Sequence, residues 1–170
     1  MTNKNITLTI IISLGIISRL IYHIPNFTPI FSICLFSGMM FKNTKKMYFV
    51  PLACMFITDL FLGIHSTILF VYVSLLIVIF IGRINSNSYL FSRLIISIFL
   101  SNIVFFMITN FGVWFMQIGY YDKTFSGLMT CYIAAIPFLK NALLSNLIFT
   151  PILIYSYKYI IKRYPVLLNT

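Results

Sequence analysis

With 170 residues, 61% of them hydrophobic and only 8% charged, the chain has a mean hydropathy of +1.02, far from the roughly 25% charged composition of soluble domains. A chain this apolar is excluded as a soluble or secreted globular domain and reads as a single transmembrane domain over residues 1–170. The net charge of +10, from 12 basic and 2 acidic residues, does not indicate nucleic-acid binding: the cations cap apolar runs and form no basic face with interleaved aromatics.

The apolar runs are continuous and of helical length, which predicts helices and not the alternating short segments of a β-barrel. In chain order they cover Ile6 to Tyr22, Pro29 to Phe41, Tyr48 to Ile64, Ser66 to Gly82 and Leu90 to Asn110, each read as one span. A last stretch runs from Gly127 to Ile161. Lys4 followed by Ile6 to Ile17 imitates a signal peptide, but no small-x-small cleavage site follows, so this segment is expected to be the first helix. A run of 17 residues covers about 26 Å against a hydrocarbon core of about 30 Å, so several helices are expected to thin the bilayer or to begin in protein-lined crevices. Thr28 before Pro29 reads as an N-cap followed by a first-turn proline. Pro165 stops the last helix. Pro137 and Pro151 interrupt the final stretch; a break at Pro137 leaves Gly127 to Ile136 as a partial helix at the outer surface and Leu139 to Ile161 as the sixth span. The expected fold is therefore all-α: a polytopic bundle of about six transmembrane helices.

Charge distribution sets the orientation. With both ends inside, cytoplasmic segments hold Lys4, Lys42, Lys45, Lys46, Arg83, Arg93, Lys158, Lys162 and Arg163, leaving Arg19, Lys123 and Lys140 toward the outside. This partition gives an N-in, C-in multi-pass protein of the inner, cytoplasmic membrane. Cys34, Cys54 and Cys131 lie inside apolar runs without metal-ligand spacing and read as small buried hydrophobes.

The polar residues then gather at one level on the outward half. Arg19, Tyr22, His23 and Asn26 end the first helix; Asp59 and His65 end the third; Asn110, Trp114, Gln117, Tyr120, Tyr121 and Asp122 follow the fifth; Lys140 and Asn141 open the sixth. Asp59 is the carboxylate inside an apolar run, where insertion costs about 2.5 to 3.5 kcal/mol, and Arg19 is its natural partner. Two readings of that pair stay open: an ion pair locking helices, or part of a ligand site. The ligand-binding set is Arg19, His23, Asn26, Asp59, Asn110, Trp114 and Asn141. His65 reads as a solvated loop histidine, Trp114 with Tyr120 and Tyr121 as an interfacial aromatic belt or a stacking lid, and Asn102 as an interhelical bridge in preference to a pocket-lining residue. The chain carries no phosphate-binding glycine loop, HExxH or GxSxG string, so no enzyme, cofactor or metal is expected.

Several strings carry a resemblance: His23-Ile24-Pro25-Asn26-Phe27-Thr28-Pro29-Ile30, Asp59 with Gly63, Thr109-Asn110-Phe111-Gly112-Val113-Trp114, and Gly127-Leu128 through Cys131-Tyr132 and Ala135-Ile136-Pro137-Phe138 to Asn141. Together they resemble a family of small uncharacterised bacterial membrane proteins along nearly the whole chain. In layout it is similar to the substrate-binding S components of energy-coupling factor transporters. That resemblance implies capture of a small micronutrient in an outward-facing pocket, with a separate transmembrane subunit and ATPases as partners. The chain departs from it in two places: Thr9 and Ser13 meet the docking motif only loosely, and Asn146 stands where an acidic residue is usual. The alternative function is a non-transporting membrane scaffold, like a rod-shape-determining subunit, with a purely architectural polar cluster.

Overall fold

A computed structural model describes residues 13, 15–21, 24–42, 44–86 and 91–163. Among them the chain is all-α, with no strand. Residues 15–20 are helical (α1), followed by α2 (Ile30–Met40), α3 (Lys46–Leu62), α4 (Ile68–Ile84), α5 (Phe91–Phe115) and α6 (Phe125–Arg163). By length and composition, Phe91–Phe115 and Phe125–Ile160 are helices able to cross a membrane, while Ile30–Met40 and Ile68–Ile84 are apolar but shorter.

Helix α2 is the centre of the bundle. Every residue of α2 from Ile30 to Met39 is buried, and the helix packs against α3, α4, α5 and α6. A helix apolar on all sides is a helix enclosed by others. At about 16 Å, α2 is far short of a 30 Å hydrocarbon core. Cys34, Leu35 and Phe36 meet Leu75, Val78 and Ile79 of α4 and Ile98 of α5 in the core, and Phe31 sets its ring edge-on to Phe105 at 4.3 Å. The outer surface is apolar as well: Phe49, Leu69, Ile96 and Ile133 are all more than 60% exposed.

Helices α2 and α4 touch backbone to backbone. A Cβ on Gly82 would lie 2.5 Å from the Leu35 carbonyl oxygen, and one on Gly38 would collide with the Ile79 carbonyl oxygen. Small residues permit this approach, the usual way that helices associate where water supplies no driving force. Nearby, Ser32 Oγ donates to Asn146 Oδ1 at 2.7 Å, and Thr150 Oγ1 lies 3.0 Å from Ser32 Oγ, so a buried hydroxyl-amide cluster joins α2 to α6.

Three sequence expectations are corrected. Helix α6 runs unbroken from Phe125 to Arg163 through Pro137 and Pro151, so there is no separate partial helix before Pro137. Proline removes one backbone bond, yet the ladder on either side persists and α6 is held along α5 and α2, which is how packed apolar helices retain proline. Helix α5 ends at Phe115, so Asn110 and Trp114 lie on its last turns and do not follow it. The apolar run continues through Phe115, and the chain turns only where Gln117 and Gly119 adopt φ of 54° and 88°. Thr28 does not cap α2: Pro29 occupies the cap position without a side-chain bond, and Thr28 instead offers its carbonyl to Ser145 Oγ at 2.7 Å.

Candidate ligand-binding cavity

The first polar cluster joins three helices. Arg19 on α1 reaches α3, where its Nη1 donates to Thr58 Oγ1 at 2.6 Å and to Asp59 Oδ1 at 3.2 Å, beside Met55 Sδ. Tyr72 on α4 donates its hydroxyl to the other carboxylate oxygen, Asp59 Oδ2, at 3.0 Å. Asp59 is 3% exposed, so a buried charge is neutralised and both its oxygens are occupied from within the protein. Thr58 in turn donates back to the α3 carbonyls of Cys54 and Met55, both at 2.9 Å, which turns its lone pairs toward Arg19.

Two adjoining cavities lie beside this cluster. One of about 230 Å³ is walled by Arg19, Asn26, Thr28, Met55, His65 and Phe105 among others. The larger, about 340 Å³, is lined by Asn26, His65, Thr67, Asn102, Thr109, Asn110 and Tyr121, with apolar walls from Phe105, Phe106, Phe138 and Ala142. Asn26, His65, Val71 and Phe105 are common to both. Apolar walls with a few convergent polar groups and a volume above about 300 Å³ are the properties of small-molecule sites.

Local backbone chemistry sets the rim. Asn26 has φ 62°, the left-handed region that asparagine tolerates better than most residues, in a turn closed by Phe27 N–H donating to the Ile24 carbonyl at 2.9 Å. Asn141 on α6 donates to the Pro25 carbonyl at 3.1 Å and so ties that turn down. At the other side, Trp114 Nε1–H donates to the Asp122 carbonyl at 2.8 Å across the α5–α6 connection, which carries Tyr121 to the cavity. Trp114→Phe keeps an aromatic ring at this position and loses this bond. The expected result is faster amide exchange over residues 116–124, with a stability loss of about 1 kcal/mol. Unchanged exchange there would assign Trp114 to the interface alone.

The predicted ligand set is thus divided. Arg19, Asn26 and Asn110 line the cavities, while Asp59 stands behind Arg19. Trp114 and Asn141 brace the rim through backbone carbonyls. His23 lies outside the described residues. Three residues outside the predicted ligand set also reach the wall: His65, Tyr121 and Asn102. Asn102 does not bridge helices through its amide nitrogen, because Nδ2 donates to Ile98 of its own helix at 2.8 Å. The available signal was the spacing of Asn102, Phe106, Thr109 and Val113, one helical stripe that coincides with the α5 wall. Among the described residues, no group of three His, Cys, Asp or Glu side chains is placed to hold a metal ion.

Fold and site together define an all-α protein of apolar helices around a polar-lipped cavity. The chain belongs to the family of unknown function DUF6580, whose model matches residues 1–167. Comparison with curated proteins finds no match, and comparison with solved structures finds none.

Proposed function

We propose that this protein is a solute-binding subunit of the cytoplasmic membrane, with six spans and both ends inside, similar in role to an energy-coupling factor S component. The observation that carries the reading is the larger cavity: about 340 Å³, apolar-walled, with amides, hydroxyls and an imidazole around it. The apolar outer surface and the two span-length helices support residence in lipid. The solute is a small molecule, and any uphill movement requires a separate transmembrane subunit with ATPases, since no nucleotide-binding loop occurs in the sequence. The test is purification in detergent, a melting-temperature screen against vitamins, nucleobases and metal ions, and a pull-down for an ATPase module. Failure of both arms removes the reading.

Topology has its own test. The native cysteines are 0%, 0% and 2% exposed at Cys34, Cys54 and Cys131, so background labelling is low. In intact cells, Tyr120→Cys, at a fully exposed position, is expected to react with a membrane-impermeant maleimide, whereas Thr44→Cys is expected to react only after permeabilisation. The reverse pattern would invert the orientation and with it the outward-facing cavity.

One observation favours the scaffold reading. Asp59 has both oxygens engaged by Arg19 and Tyr72, which leaves the carboxylate without a ligand task. A protein in which this cluster is architecture and the cavity holds only solvent would position partner proteins instead of solute, and would give no shift in the ligand screen.

A further inference from the structure

The polar side chains that α5 contributes to the larger cavity share one habit. Asn102 Nδ2, Thr109 Oγ1 and Asn110 Nδ2 each donate at 2.8 Å to a carbonyl of their own helix, those of Ile98, Phe105 and Phe106. For the threonine this consumes its single hydrogen, so the hydroxyl has only lone pairs left to offer. For the asparagines it fixes the orientation of the amide, since a carbonyl accepts and never donates. The α5 wall therefore presents three acceptor oxygens against the two N–H groups that the asparagines keep, over about 12 Å of helix from Asn102 to Asn110.

Asn102 is the sharpest of the three. It is 2% exposed, lies midway along α5, lines the cavity, and its buried Oδ1 has no hydrogen-bond partner among the described residues. A buried acceptor left unmatched is costly, so native proteins supply it with a donor. Among the described residues the larger cavity has no Lys, Arg, Asp or Glu on its wall, and Arg19 beside the smaller one is already paired with Asp59. A charged ligand would enter with no carboxylate, ammonium or guanidinium among the described lining residues to oppose it, at a heavy desolvation cost. The rings of Phe105, Phe106 and Phe138 provide flat apolar faces.

We infer that Asn102 and Thr109 form the deep, acceptor-rich wall of the solute site and select an uncharged planar molecule that presents N–H or O–H donors to it. This rests on the solute-binding reading. The molecule lies with its donor edge on α5 and its face against the phenylalanines.

The test uses the full chain purified in detergent, native mass spectrometry for a retained molecule, and melting curves with millimolar adenine and benzamide, with benzoate as the charged counterpart. The expected result is retention of an uncharged molecule, or an upward shift with adenine or benzamide and none with benzoate. In Asn102→Leu and Thr109→Val that response falls at least tenfold, while the unliganded variants melt within about 2 °C of wild type or above it. A response that survives both substitutions, or a retained anion or cation, overturns the acceptor wall and leaves solute binding standing. No retained molecule and no shift with any probe overturns both. If Asn102→Leu and Asn102→Ala both melt far below wild type, Asn102 is a structural residue and the inference fails.

Discussion

Gly38→Leu and Gly82→Leu are each expected to abolish a monodisperse folded protein, at a cost of about 3 kcal/mol or more, the upper end of what overpacking does. The reason is the kind of atom met. At most core positions a new methyl group meets the flexible end of a side chain, which can turn away. Here a Cβ on Gly38 meets the Ile79 carbonyl and, at 2.8 Å, the Arg83 amide nitrogen, whereas one on Gly82 meets the Leu35 carbonyl at 2.5 Å. Neither backbone can yield unless the whole helix moves. Because α2 is buried along nearly its length and touches the other described helices from α3 to α6, its displacement from α4 would also open its contacts with α3 and α6. Size exclusion and melting temperature in detergent read the effect directly. Phe61→Ala is the control: that side chain is 72% exposed and its loss is expected to change stability by less than about 0.5 kcal/mol. Wild-type melting in Gly38→Leu would show that α2 and α4 are not in backbone contact.

Breaking the Arg19–Asp59 pair from one side is the second large effect. Asp59→Ala is expected to cost about 3 kcal/mol or more, because it strands a guanidinium whose side chain is only 17% exposed against Thr58 and Met55. The double replacement Arg19→Met with Asp59→Leu removes both charges and fills similar volume, so most of that loss is expected to return. Tyr72→Phe takes away one bond to the carboxylate and is expected to cost about 1 kcal/mol. The cycle also separates the two functional readings. A scaffold whose polar cluster is architecture regains full behaviour in the double variant, whereas a binding subunit regains its fold but responds more weakly to solute, since Arg19 lines the smaller cavity. If the double variant were as unstable as Asp59→Ala, the pair would be contributing something other than charge compensation.

Much of the molecule was legible along the chain. Runs such as Leu90 to Asn110 and Ser66 to Gly82 overlap α5 and α4 closely, because a continuous apolar stretch with helical length and no turn residues has few other ways to satisfy its backbone. Asp59 identified itself, and so did Arg19 as its partner, since an isolated carboxylate among apolar neighbours requires a nearby cation. The helical class, the apolar surface and the ion pair all follow from local composition and from the cost of leaving a polar group unpaired.

What the chain alone could not decide is what depends on neighbours distant in sequence. Pro137 reads as a break when only its own helix is considered, yet α6 continues through it because α5 and α2 hold the segments on both sides. Gly38 and Gly82 look like any glycines in apolar runs until two backbones meet across them. The cavity is the clearest case: it is a space that side chains from several helices fail to fill, so no single segment encodes it. Trp114 and Asn141 share the outward cluster in sequence but spend their hydrogen bonds on the rim, while Asn102, deep in an apolar run, reaches the wall with an unmatched acceptor. Helices are specified by residues a turn apart, but which polar atoms remain for a ligand is decided only after every helix has claimed its own partners.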